Sequence, residues 1–171
     1  MSDATREGPD DSPLTHGWGV LATTALAMAL LLVGALSGGL APLERALRAQ
    51  MAVRPLPLAY FLTFILLGAL LPLLLRWLHR RQAEARRVIN PYLLLLAGQI
   101  VSEAVLVQAG GKGLGVVVGM VFTLVRLVQL LQLRPLAGGR RWLRRLLTLE
   151  LALWSLNALQ MLLFRWLPLL G

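Results

Sequence analysis

Residues 18–39 read WGVLATTALAMALLLVGALSGG and residues 57–75 read PLAYFLTFILLGALLPLLL, and neither stretch holds a charged side chain. Apolar runs of about 18 or more residues are long enough, as helices, to cross a hydrocarbon layer of roughly 30 Å. A helix also satisfies its own backbone groups, which lipid cannot do. Three further runs follow, and together they predict an all-α fold, a polytopic helical transmembrane bundle. The expected spans are residues 17–39, 57–75, 92–109, 114–133 and 146–167. Residues 17–171 form one transmembrane domain in this reading, with residues 1–16 as a polar cytoplasmic tail. That tail carries four acids and Arg6 and lacks the basic start of a cleavable signal peptide, so the first span is expected to be retained.

Composition agrees with a lipid environment. The chain has 171 residues, of which 57% are hydrophobic, and its mean hydropathy is +0.71. A net charge of +9 would suggest nucleic acid in a soluble chain. Here eleven of the 17 basic residues fall in the tail and in two short connections. The connections contribute Arg76, Arg80, Arg81, Arg86, Arg87, Arg134, Arg140, Arg141, Arg144 and Arg145. Arginine clusters in alternate loops are a topology signal, and they attract anionic lipid headgroups. They predict a cytoplasmic N-terminus, five crossings and a C-terminus on the opposite side, in a bacterial inner membrane. The third span is short, so a re-entrant hairpin of the third and fourth segments is an alternative.

Between the first two long spans, residues 42–53 place Leu43, Ala46, Leu47 and Met51 largely on one side. This pattern predicts a short interfacial helix. Pro72 lies near the end of the second span and is expected to bend it. Asn90-Pro91 reads as the start of the third helix, and Gly110-Gly111-Lys112-Gly113 as a tight antiparallel turn.

Small residues suggest where helices approach. Gly34 and Gly38 are four apart, and Gly111, Gly115, Gly119 and Thr123 continue one row. Such rows let neighbouring backbones come close. Gly98 and Ser102 on the third span are the expected counterparts of the second row, with a homodimer seam as the alternative.

Three formal charges lie inside the last three spans: Glu103, Arg126 and Glu150. Each costs about 2.5–3.5 kcal/mol at mid-depth on insertion scales unless it finds a partner or a wet pocket. At 1.5 Å of rise per residue, Arg126 and Glu150 fall about 4–5 Å and 9 Å to the cytoplasmic side of their midpoints. They are therefore the expected pair, assisted by Gln129, Asn157 or Gln160. Glu103 falls to the other side, with Gln99 and Ser102 beside it. The cluster reads either as glue between helices or as a polar path for a proton, cation or anion.

The sequence excludes several chemistries. Without cysteine there is no disulfide, thiolate nucleophile or Cys-ligated metal. The only histidines, His16 and His79, lie outside the expected spans, so no bis-histidine haem is expected in the bilayer. No cofactor or metal is anticipated. The expected function is that of a non-enzymatic accessory, assembly or structural subunit of a membrane complex. A small oligomeric transporter or channel is the alternative, and a lipid-modifying enzyme a more distant one. Membrane lipids, other membrane proteins or a second copy are the expected partners, and nucleic acid is not.

Overall fold

Helices hold nearly all of the described residues, 13–53 and 56–170, of this computed structural model. They are α1 (Pro13–Leu36), α2 (Ala41–Val53), α3 (Leu58–Leu78), α4 (Ala83–Gly110), α5 (Lys112–Leu133) and α6 (Arg141–Leu169). Among the described residues α3 to α6 are each long and apolar enough to cross a membrane, and α1 with α2, bent by 97°, would make up to five. The chain is thus an all-α bundle of long apolar helices. The expected tail lies outside the described residues as far as Ser12, as does Arg54, and α1 already begins at Pro13.

The centre of the bundle is α5. In its most apolar 18-residue window 61% of residues are buried, against 11% for α3 and for α4. Helices α1, α2, α4 and α6 pack against it, α3 packs on α4 and α6, and large apolar side chains are left facing outward. Leu62, Ile65 and Leu73 of α3 and Ile100 and Val101 of α4 are all exposed. In water such faces would be a liability; against lipid tails they lose nothing.

Several expected details differ in the structure. Asn90-Pro91 does not start a helix: α4 begins at Ala83 and runs 28 residues through Pro91. The shortness of the third span therefore disappears, because charged residues 84, 86 and 87 extend the helix beyond the apolar core. In α3 the expected bend becomes a π-helical turn at Leu66–Leu70, immediately before Pro72. A π turn is one way for a helix to accommodate a residue that cannot donate the usual hydrogen bond.

Gly34 and Gly38 do not form a seam between helices. Gly34 accepts the Leu40 amide at 3.3 Å, and Gly38 has φ +74°, so both build the sharp break after α1. The neighbouring Ala35 is the residue that packs, close to Gly110 of α4. The glycine row of α5 meets three helices rather than one. Gly111 faces Glu44 of α2, Gly115 faces Val107 and Glu103 of α4, and Gly119 faces Met161 of α6. Gly98 is exposed, with only Phe122 near it.

The helix α2 is clamped at both ends. Leu47 is fully buried and packs with Leu114, Val116 and Val117 of α5. The Glu44 carboxylate accepts from the Gly113 amide at 3.4 Å, opposite the unpaired N–H groups that begin α5. At the far end of α2, Arg165 Nη1 donates to the Gln50 carbonyl at 3.0 Å. Arg165 is therefore turned inward with only 3% exposed, rather than reaching toward headgroups. A cation there satisfies a carbonyl that the helix end leaves unpaired.

These contacts gather α2, the α4–α5 turn and the end of α6 at one end of the bundle. The opposite end holds both arginine-rich connections. His79 stacks on Trp142 with centroids 4.0 Å apart, and Arg140 pairs with Glu84 at 3.1 Å.

A methyl group at Gly113 would collide with the Glu44 backbone, whereas Gly139 has open space around it. Gly113→Ala is expected to destabilise the bundle by about 1–3 kcal/mol, as overpacking does. Gly139→Ala is expected to stay within about 0.5 kcal/mol of the parent. Thermal unfolding in mild detergent, followed by tryptophan fluorescence, measures both. Equal melting temperatures for the two variants would contradict the docking of α2.

Candidate functional site

Arg126 lies on α5 with none of its surface exposed. Its guanidinium carbon sits 4.7 Å from the Tyr92 ring centroid and 4.3 Å from that of Trp154. The cation is thus covered by one aromatic face from α4 and one from α6, an arrangement worth about 2 kcal/mol when desolvated. Its Nη2 donates to Gln99 Oε1 at 3.1 Å, while Nε and Nη1 have no hydrogen-bond partner.

No direct ion pair joins Arg126 to Glu150; among the described residues the only contact of that kind is Arg140–Glu84. The carboxylate is instead held by the polar edges of the same two rings. Glu150 Oε2 lies 2.7 Å from the Tyr92 hydroxyl and accepts from Trp154 Nε1 at 3.2 Å. Its Oε1 has no partner. Arg126 and Glu150, the pair expected from depth, thus share Tyr92 and Trp154 without touching each other.

The Tyr92 hydroxyl also contacts the Gly68 carbonyl at 2.6 Å. Pro72 explains why that carbonyl is free: proline has no N–H to give to the residue four positions earlier. A side chain from α4 thus occupies an acceptor that α3 leaves open. Gly68 is buried, with Leu153 and Trp154 at ordinary contact distance from the space a β-carbon would fill.

A second polar cluster lies further along α6. Asn157 Nδ2 donates to Thr123 Oγ1 at 2.7 Å, and Thr123 donates to the Gly119 carbonyl of its own helix at 2.7 Å. Tyr60 of α3 donates to Asn157 Oδ1, with Gln160 Oε1 3.3 Å away. Gln129 Nε2 donates to the Pro91 carbonyl of α4 at 2.9 Å. Together the two clusters tie α3, α4, α5 and α6.

The residues singled out from sequence therefore divide. Gln99, Arg126, Gln129, Glu150, Asn157 and Thr123 join in the buried clusters. Ser102 is half-buried outside them. Glu103 is exposed on α4, its carboxylate beside Gly115, about 16 Å along α5 from Arg126 at 1.5 Å per residue. Tyr60 and Tyr92 are the members that sequence reasoning missed. A signal existed: they are the chain's 2 tyrosines, and both stand inside or at the edge of apolar spans. A buried tyrosine hydroxyl usually needs a partner.

The surface arginines remain outside this core. Arg80, Arg81, Arg86, Arg87, Arg141, Arg144 and Arg145 are exposed, while Arg76 and Arg140 are half-buried. Arg141, Arg144 and Arg145 border an open groove of about 680 Å³ that continues over Thr148, Leu149 and Ala152. Beside Glu150 is a small cavity of about 10 Å³, lined otherwise by Pro72, Val88, Ile89, Tyr92, Leu146 and Leu147. Among the described residues no group of three His, Asp or Glu side chains could hold a metal. No protein-family model, curated protein or solved structure matches the chain.

If the two rings hold the guanidinium, Arg126→Leu and Trp154→Leu should couple. A double-mutant cycle on unfolding in detergent is expected to give an interaction of about 1–2 kcal/mol. Strictly additive losses would show that the rings merely lie near the charge.

Proposed function

We propose that this chain is a non-enzymatic integral membrane protein serving as an accessory, assembly or structural subunit of a membrane complex. The observation that carries this reading is the direction in which its polar groups face. Arg126, Gln129, Glu150 and Asn157 are each at most 8% exposed, and each bonds to a neighbouring helix, the first three to α4 and Asn157 to α5. Polar groups that fasten helices belong inside; groups that conduct a solute need a wet surface. The outer faces of α3 and α4 are apolar and suit lipid or a neighbouring helix.

In this reading α1, α3, α4, α5 and α6 are the five crossings, and α2 lies at the non-cytoplasmic interface. The arginine-rich end faces the cytoplasm of a bacterial inner membrane. Its exposed arginines meet anionic headgroups, and the groove above Leu149 and Ala152 offers an apolar floor beneath that charge.

One observation favours a second reading, that of an oligomeric transporter or channel. Glu103 is exposed on α4 away from the buried clusters. Packed against a second copy, it would line a path between protomers that no single chain encloses.

Two measurements test these assignments. The chain has no cysteine, so single cysteines can be introduced without background. Gly138→Cys is expected to be labelled by an impermeant maleimide from the cytoplasmic side only, and Lys112→Cys from the opposite side only. Labelling of both from one side would overturn five crossings. Purification in mild detergent with mass measurement, followed by flux assays in liposomes, addresses the role. Stoichiometric co-purifying membrane proteins and no flux are expected. A homo-oligomer whose proton-dependent flux vanishes in Glu103→Gln would establish the transporter instead.

A further inference from the structure

The contacts around Glu150 contain more acceptors than hydrogens. Tyr92 Oη carries one proton and lies 2.6 Å from the Gly68 carbonyl and 2.7 Å from Glu150 Oε2. A backbone carbonyl only accepts, and so does an ionised carboxylate. One hydroxyl proton cannot fill both gaps. If it points to Glu150, two bare oxygens face each other at Gly68; if it points to Gly68, the same happens at Glu150. The other donor that bonds to these oxygens, the Trp154 indole N–H, is shared between Tyr92 Oη at 3.1 Å and Glu150 Oε2 at 3.2 Å. It approaches those oxygens from outside and fills neither short gap. Adding one proton to Glu150 Oε2 completes the chain: the carboxylic acid donates to Tyr92, and Tyr92 donates to Gly68.

We infer that Glu150 is a proton-binding site within the bundle, standing in this conformation as a carboxylic acid that donates to Tyr92. This goes beyond the role proposed above and does not depend on it. The groups that face Glu150 are few. From α4 comes Tyr92, from α5 the Arg126 guanidinium, from α3 the Gly68 carbonyl and Pro72, and from its own helix Trp154. Arg126 is the only formal charge among them.

That charge supplies the second state. Arg126 has two nitrogens without an acceptor, and Glu150 Oε1 has no donor. When the acid releases its proton, the O–H bond of the carboxyl breaks, the electron pair stays on the carboxylate and the proton passes to solvent. The carboxylate then turns to the vacant Arg126 N–H groups as a direct ion pair. Tyr92 keeps its own proton throughout and keeps or loses Gly68 according to how the acid is placed.

A small cavity beside the acid marks the side from which its proton is expected to exchange. Its walls include Val88 and Ile89, which precede Tyr92, and Leu146 and Leu147, which precede Glu150. It therefore lies toward the arginine-rich end of the bundle, and about 10 Å³ is close to the least space that admits one water molecule. Exchange is expected from that end.

Infrared spectroscopy of the full chain in lipid nanodiscs tests the assignment, using Glu103→Gln as the background so that one mid-span acid remains. At neutral pH a protonated-carboxyl C=O band is expected. It should vanish in Glu150→Gln, shift to higher frequency in Tyr92→Phe as a hydrogen bond is lost, and convert to carboxylate absorption at high pH. Should Glu150→Gln fail to fold, the Tyr92→Phe shift and the pH conversion carry the test alone. A protonated-carboxyl region that contains no such band at neutral pH, or that neither variant alters, would overturn the proposal.

Discussion

A guanidinium with no exposed surface, set in an apolar bundle, is the constraint that the rest of this structure answers. Leaving such a charge unpaired in a low-dielectric interior costs several kcal/mol after relaxation. The chain meets the demand through two aromatic faces and one amide rather than through a touching carboxylate. Each of these partners comes from a neighbouring helix: Tyr92 and Gln99 from α4, Trp154 from α6. Arg126 therefore specifies which helices surround α5 and at what register, since a slip of one residue on either neighbour would remove a ring from the charge. Lipid-facing side chains supply no comparable selectivity, because one leucine is as well solvated by lipid as another.

The same two rings carry a second duty along their edges. The Tyr92 hydroxyl lies within hydrogen-bond distance of both Gly68 and Glu150, and Trp154 offers its N–H to Glu150. The acceptor at Gly68 exists because Pro72 withholds a hydrogen bond, and the π turn before Pro72 lets the helix continue. A local defect in α3 thus becomes the point at which α4 attaches to it. Removing the proline would restore the helix bond and compete with Tyr92 for the carbonyl. The irregularity is part of how the bundle is held.

Much of the bundle was legible in the sequence because the lipid requirement acts on runs of residues, and run length and charge can be counted directly. The positions of Arg126, Glu150, Asn157 and Gln129 on inward faces follow from the same cost. What the sequence concealed were contacts that depend on where two helices cross. Gly34 and Gly38 have the spacing of a packing motif, yet the chain uses them to turn, since Leu40 folds back on Gly34. Asn90-Pro91 has the chemistry of a helix start, yet α4 passes through it, because the preceding turn packs Ala85, Val88 and Ile89 into the core. The aromatic cover of Arg126 was hidden for a related reason: a tyrosine in an apolar run looks like any other large side chain until its hydroxyl finds a partner. Glu103 shows the opposite case, a mid-span acid that the single chain leaves on its surface.

The two ends of the bundle differ in kind, and the difference bears on how it could assemble. At the end holding α2, Glu44 meets the start of α5 and Arg165 meets the end of α2, while Arg45, Arg48 and Lys112 stay exposed. Both interactions satisfy backbone groups that helix ends leave unpaired, and they fasten α2 to the bundle. At the other end most arginines are exposed, and Glu84 is the one acid that any of them engages among the described residues. Exposed pairs of that sort contribute at most about 1 kcal/mol. The arginine-rich end is thus free to meet anionic surfaces, while the α2 end is fixed by its own hydrogen bonds. A partner helix seeking the bundle has apolar flanks of α3 and α4 to meet between these ends, with Glu103 as the one formal charge on the α4 flank between its arginine-rich start and the turn at Gly111.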